Sequence, residues 1–171
     1  MGKIIITTIA FKEKPLAEEI REYLYLRGLC NIEYQVFDNM PGILIINSSI
    51  SSIELARVIL NSPLSRYFSR LVPILYETKF SKPEELANTI LKEFREFLSR
   101  CSDFVVRCKL RNIDASDSEY ERIIGEIIRN EVKLKVSCEA PSCIVIIECI
   151  EKWCGIYVGN FEYIRVKKKF R

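Results

Sequence analysis

Phe104-Val105-Val106-Arg107-Cys108-Lys109 is the stretch on which the reading of the chain turns. Val106, Cys108 and Leu110 alternate with Arg107, Lys109 and Arg111, the period of two expected of a strand with one apolar and one polar face. Three cations at alternate positions stand about 7 Å apart on one face, a spacing similar to that of successive phosphates on a nucleic-acid strand. The plain alternative is the solvated side of a sheet.

Downstream, residues 112–117 form a polar loop, and Ser118-Glu119-Tyr120-Glu121 reads as a capping box. It opens a helix carrying Ile123, Ile124, Ile127 and Ile128. Gly125 inside that helix costs about 1 kcal/mol relative to alanine, which points to close packing against a strand. Strands are predicted at 133–136, 142–150, 155–158 and 163–166, with Lys133 and Lys135 facing solvent and Trp153 in the core. The order is β-α-β-β-β.

Upstream, Ser81-Lys82-Pro83-Glu84 reads as another capping box, and Leu86, Ile90, Phe94 and Phe97 give the stripe of an amphipathic helix over 84–98. Before it the patterns give strands at 3–10, 32–37, 43–46 and 71–80. A helix runs from Pro15 toward Gly28, and a second follows the Ser51-Ser52-Ile53-Glu54 box as far as Asn61. The order β-α-β-β-α-β is that of a ferredoxin-like module. The expected organisation is this module over 1–80, a linking helix over 81–100 and a second domain over 101–171, an α+β chain throughout.

Composition narrows the chemistry. Of 171 residues, 49% are hydrophobic and 29% charged, a globular mixture. No apolar run approaches the ~20 residues that a membrane helix needs. The opening Met1-Gly2-Lys3-Ile4 lacks the features of a secretion signal, so a cytoplasmic location is expected. There is no histidine, which closes Ser-His-Asp and Cys-His pairs, HExxH zinc sites and facial triads. Dinucleotide and P-loop fingerprints are missing too. No catalytic residue, metal ligand or cofactor is expected.

Seven cysteines occur: Cys30, Cys101, Cys108, Cys138, Cys143, Cys149 and Cys154. None is spaced as CxxC, which argues against a zinc ribbon or a redox dithiol. Two readings stand: small buried hydrophobes, with Cys143 and Cys149 sharing a strand face with Val145 and Ile147, or one or two structural disulfides of the kind intracellular hyperthermophile proteins form. The odd number leaves at least one free thiol.

Basic and acidic residues, 26 and 23, are spread evenly over the two halves, so local clusters must identify any polyanion site. Besides Arg107, Lys109 and Arg111, two clusters qualify. Lys167, Lys168 and Lys169 lie in a tail with five cations in the seven residues 165–171, otherwise read as a solubilising end. Arg66 and Arg70 flank Tyr67 and Phe68 and are otherwise expected to pair with nearby carboxylates. All eight cations are candidate RNA contacts.

Residues 104–158 resemble a THUMP domain. The likeness rests on the strand from Phe104, on Ile123-Ile124-Gly125-Glu126-Ile127-Ile128, on Pro141-Ser142-Cys143-Ile144-Val145-Ile146-Ile147-Glu148 and on Gly155-Ile156-Tyr157-Val158-Gly159. A ferredoxin-like module joined by a helix ahead of this domain is also the family's habit. Within the family, Arg66-Tyr67-Phe68-Ser69-Arg70-Leu71-Val72-Pro73-Ile74, Lys109-Leu110-Arg111-Asn112 and Lys167-Lys168-Lys169-Phe170 are most similar to stand-alone THUMP proteins that assist tRNA cytidine acetyltransferase. Ser137 and Cys138 depart from that pattern. The resemblance implies binding of the tRNA acceptor end and a non-catalytic adaptor role beside a separate modifying enzyme. By the same resemblance that enzyme is a tRNA cytidine acetyltransferase forming acetylcytidine; the catalytic domain that THUMP enzymes append is not expected in a chain read as stopping at Arg171. The alternatives are a protein–protein scaffold without RNA binding and, third, a small enzyme of unrecognised type.

Overall fold

Strand β1 (Gly2–Thr8) is the centre of the first of two compact units into which the computed structural model divides; residues 1–166 are described. Met1–Leu75 and the segment beginning at Glu162 make one unit, and Tyr76–Phe161 makes the other.

In the first unit β1 is followed by α1 (Glu13–Tyr25), β2 (Ile32–Val36), β3 (Ile43–Ser48), α2 (Ser52–Leu60) and β4 (Phe68–Ile74). The sheet order is β2-β3-β1-β4 with every neighbouring pair antiparallel. Ile4 and Ile6 of β1 and Leu44 and Ile46 of β3 point to one face. There they pack with Leu16, Ile20 and Leu24 of α1 and Leu55 and Ile59 of α2. Each such buried aliphatic contributes about 1.5–3 kcal/mol from apolar burial. The predicted cap at Ser51 forms: its hydroxyl accepts the Glu54 N–H at 3.2 Å.

Residues 71–80 are not one strand. Leu75 separates β4 from β5 (Tyr76–Lys79), and the two belong to different sheets. No glycine or polar turn marks the break, because Leu71-Val72-Pro73-Ile74-Leu75-Tyr76 is apolar on both sides of it.

The second unit contains β5, α3 (Pro83–Leu98), β6 (Asp103–Arg111), α4 (Asp117–Val132), β7 (Lys135–Val136), β8 (Cys143–Ile150) and β9 (Trp153–Gly159). Its sheet order is β5-β9-β8-β6-β7. β6 pairs parallel with β7 and β8, whereas β9 pairs antiparallel with β8 and β5. Phe104, Val106 and Cys108 share a core with Val145 and Ile147, with Leu86 and Ile90 of α3 and with Ile124 and Ile128 of α4. Gly125 does face β6, where an added methyl would stand 3.7 Å from the Val106 side chain, ordinary contact rather than a clash.

Two helix starts differ from expectation. Pro at the first position of α3 makes Lys82 the residue before it, with no side-chain cap, so the Ser81 box does not form. At α4 the cap is Ser116, whose hydroxyl accepts the Glu119 N–H at 3.3 Å; Ser118 lies inside the helix. Lys133 is the left-handed residue ending α4 (φ +58°), which leaves only Lys135–Val136 as strand. Residues 163–166 form no strand, although Arg165 makes an isolated antiparallel bridge to Leu71. Trp153 is half-buried at the start of β9 and donates its indole N–H to Glu77 at 2.7 Å, so it is not a core residue.

Two disulfides are present. Cys149 and Cys154 are directly paired across the β8–β9 hairpin, 4.1 Å apart at Cα, as cross-strand neighbours of a hairpin are. Cys101–Cys143 ties the segment after α3 to the start of β8 over 42 residues. Loop-closure entropy gives that longer link about 4 kcal/mol. Cys30 and Cys138 are exposed free thiols and Cys108 is a buried one.

Candidate nucleic-acid interface

The three cations of β6 share the strand face expected of them, yet each sits on a carboxylate. Arg107 lies 3.7 Å from Glu121 of α4 and donates to its neighbouring Val106 carbonyl at 2.8 Å. Lys109 contacts Asp117, the first residue of α4, at 2.9 Å. Arg111 pairs with Glu148 of β8, a carboxylate with no solvent exposure. Glu121 and Asp117 have a second task. Their other oxygens accept the β6 backbone N–H groups of Cys108 at 2.9 Å and Leu110 at 2.8 Å. Burial, followed by the charges of Glu121, Asp117 and Glu148, pushes the Cys108 thiol far above its ordinary value. The field along this strand is therefore not one of spare positive charge.

The cations of the first unit are arranged differently. A 3-10 turn, Pro63–Tyr67, leads into β4 and leaves Arg66 and Tyr67 exposed, with the Arg66 guanidinium 4.9 Å from the centre of the Tyr67 ring. Among the described residues no carboxylate lies within ion-pair distance of Arg66. A bulge follows, since Thr7 faces Arg70 but Thr8 faces Phe68. The extra residue, Ser69, turns outward, and such irregularities re-aim neighbouring side chains. Arg70 is half-buried in β4. Arg165 closes the back of the segment: its guanidinium lies 5.2 Å from the Phe68 ring and bonds the carbonyls of Ser65 and Phe68.

Opposite this segment runs the loop between β1 and α1. It is strapped by the Thr8 N–H to Gly42 carbonyl bond at 2.9 Å and by the buried Glu13 carboxylate, which accepts the Gly42 N–H at 3.0 Å. Gly42 adopts φ +89°, and a methyl there would approach the Thr8 carbonyl to 2.8 Å, so no other residue fits. Between loop and turn lies a groove of about 580 Å³, within the range of small-ligand sites. Its signal in the sequence was the Arg66-Tyr67-Phe68 run; the part played by residues 8–12 carried none, because a loop's distance from a turn over 50 residues away is a property of the fold.

Lys167, Lys168 and Lys169 lie outside the described residues. Among the described residues no group of histidine, cysteine or carboxylate side chains could hold a metal ion, and no helix is long and apolar enough to cross a membrane.

The model of the THUMP domain family matches residues 80–159. Residues 80–159 are a THUMP domain. The match covers β6, α4, β8 and β9, the stretches that carry the resemblance, and lies wholly within the second compact unit. Among curated proteins, none matches the chain. Solved structures do. PH1313 from Pyrococcus horikoshii Ot3 shares the fold with a TM-score of 0.70 at 20% identity, over 98% of this chain and 56% of that one. TrmN from Thermus thermophilus follows with a TM-score of 0.66 at 18% identity, over 92% of this chain and 45% of that one. A 4-thiouridine synthetase, solved as an RNA complex with bound ATP, gives 0.55 at 15% identity over 94% and 42%. The chain thus spans about half the length of the structures it matches, and both the THUMP domain and the unit before it lie within the shared fold.

Proposed function

We propose that this chain is a tRNA-binding adaptor: the THUMP domain and the β-α-β-β-α-β unit, read as ferredoxin-like, hold the acceptor end of a tRNA for a separate modifying enzyme. The observation that carries the proposal is the THUMP domain itself, in a fold shared over nearly the whole chain with a 4-thiouridine synthetase solved on RNA. Recognition of this kind uses RNA shape, phosphates and an unpaired end rather than a groove code. Arg66, Arg70, Arg107, Lys109, Arg111, Lys167, Lys168 and Lys169 are the proposed contacts, with Arg66 and the lysine tail ahead of the β6 cations, whose charge is already engaged. The adaptor rather than enzyme reading is supported by the resemblance of residues 66–74, 109–112 and 167–170 to stand-alone THUMP proteins. The partner most similar in kind to what the resemblance implies is a tRNA cytidine acetyltransferase, in the cytoplasm.

Titration of tRNA over a salt series tests the binding. Affinity is expected to fall steeply as salt rises, because each neutralised phosphate releases counterions. Salt-independent binding, or no preference for tRNA over duplex DNA, overturns it. Adding the chain to an acetyltransferase assay tests the adaptor role, with more acetylcytidine per tRNA expected. The paired state of the β6 cations favours one other reading, a protein–protein scaffold; under it, Arg66→Glu leaves tRNA retention unchanged while partner capture persists.

A further inference from the structure

We infer that the groove between the β1–α1 loop and the Arg66-Tyr67-Phe68 turn is a seat for a single unpaired nucleotide, its base lying against Tyr67 and its phosphate between Lys12 and Arg66. The inference rests on the RNA-binding reading above and assigns it a place within the first unit.

Three features of the groove point to this occupant. Its walls are apolar: Ile9 is 72% exposed, Leu16 and Phe68 form the floor, and Tyr67 is 46% exposed beside the opening. Contiguous exposed apolar surface with a polar rim is the mark of an interaction or ligand-binding groove. Its rim is cationic: Lys12 and Arg66 both line it, and among the described residues neither meets a carboxylate within ion-pair distance. Glu19 is the one acid in the lining. An apolar peptide side chain would fill the groove without using the cations, whereas a nucleotide uses both halves, a π-face on the tyrosine and an anion between the charges. The Arg66 guanidinium lies 4.9 Å from the centre of the Tyr67 ring, so cation and aromatic surface stand together at the groove.

The walls of the groove are held by bonds within the fold. Thr8 donates its hydroxyl to the Tyr67 carbonyl, joining the two walls directly. The Gly42–Glu13 strap holds the loop from beneath. Phe11, at φ +66° and 78% exposed, bears a strained backbone next to the rim, and strain of that kind costs on the order of 1–3 kcal/mol in a loop whose neighbours enforce it.

The test uses the full chain and two fluorescein-labelled stem-loop RNAs, one with a four-nucleotide unpaired 3′ end and one blunt, read by anisotropy. The wild-type chain is expected to prefer the RNA with the unpaired end. Tyr67→Ala should lower its affinity for that RNA by about tenfold and leave the blunt stem-loop unchanged, the effect of removing one stacking platform. Tyr67→Phe should restore the preference. Lys12→Gln, exposed and remote from the core, should weaken both RNAs severalfold and lessen the salt dependence. Equal affinities for the two RNAs, or a preference that survives Tyr67→Ala, overturn the inference while leaving tRNA binding intact; a groove that serves a peptide gives that result. Failure of the wild-type chain to bind either RNA at low salt overturns the binding proposal as well.

Discussion

Arg111 and Arg66 are both arginines set beside a sheet, and they serve opposite ends. Arg111 belongs to a group of three cations held by Glu121, Asp117 and Glu148, so that strand, helix and neutralising acid form one structural assembly. Arg66 has an aromatic face for company and, among the described residues, no acid within ion-pair distance, so its charge is not engaged there. The lesson is that cation spacing along a strand identifies candidates, and the acids brought by the fold decide which of them keep a field to offer.

The largest effect that sharpens this contrast comes from removing the acid rather than the base. Glu148→Ala leaves Arg111 partly buried without its partner and should cost about 3–5 kcal/mol in urea unfolding. A loss under 1 kcal/mol would show Arg111 to be as spare as Arg66. Asp117→Ala removes the acceptor for Leu110 N–H and the partner of Lys109 together, and about 1–2 kcal/mol is expected from the same measurement. Gly125→Ala, on the helix that supplies those acids, should stabilise by up to about 1 kcal/mol, since a methyl meets Val106 at ordinary contact distance. A loss of stability instead would mean that the helix cannot tolerate even that contact. Arg66→Gln should change stability by less than about 0.5 kcal/mol while reducing tRNA affinity severalfold, the converse of Glu148→Ala.

A pH effect separates the β6 end from the rest. The backbone N–H of Ser142, 2.7 Å away, and then its hydroxyl hold the Asp103 carboxyl below its ordinary value. A carboxyl with a depressed folded value contributes stability above the unfolded value near 4, and that contribution is lost as pH falls through the folded one. Asp103→Asn should therefore flatten part of the acid limb of the unfolding curve and leave neutral-pH behaviour of the Arg66 region untouched. In the same spirit, a thiol-alkylating reagent should label Cys30 and Cys138 in the native chain while Cys108 stays protected until unfolding.

Much of this fold is legible in the sequence. The period of apolar residues placed each of α1 to α4 within a few positions, and the serine half of the Ser51 box formed, its hydroxyl accepting the Glu54 N–H three residues on. The other two boxes failed for local reasons. Pro83 claimed the first helical position for itself, and Ser116 offered a cap two residues ahead of Ser118. The division at Leu75 was hidden because both sheets draw on the same apolar vocabulary. Strand periodicity showed that Cys143 and Cys149 share a face with Val145 and Ile147, and all four do lie in one core. It could not show that Cys149 meets Cys154, since a hairpin register is fixed by the pairing of both strands. The site was less legible than the fold for a related reason. A strand's pattern describes its own two faces, whereas the partner of Arg111 stands 37 residues away on β8. The groove joins residues 8–19 to 66–69, and nothing along the chain marks them as neighbours.

One arrangement on β6 has a consequence for solubility. β7 covers only Asp103 and Phe104, so the remaining outer margin of that long strand would be a row of open donors inviting a neighbouring molecule to add itself to the sheet. Glu121 and Asp117 stopper that margin at Cys108 and Leu110, placing negative charge where an incoming strand would have to lay its own carbonyls. The two acids paired with Arg107 and Lys109 thus also occupy the edge donors through which another strand would add.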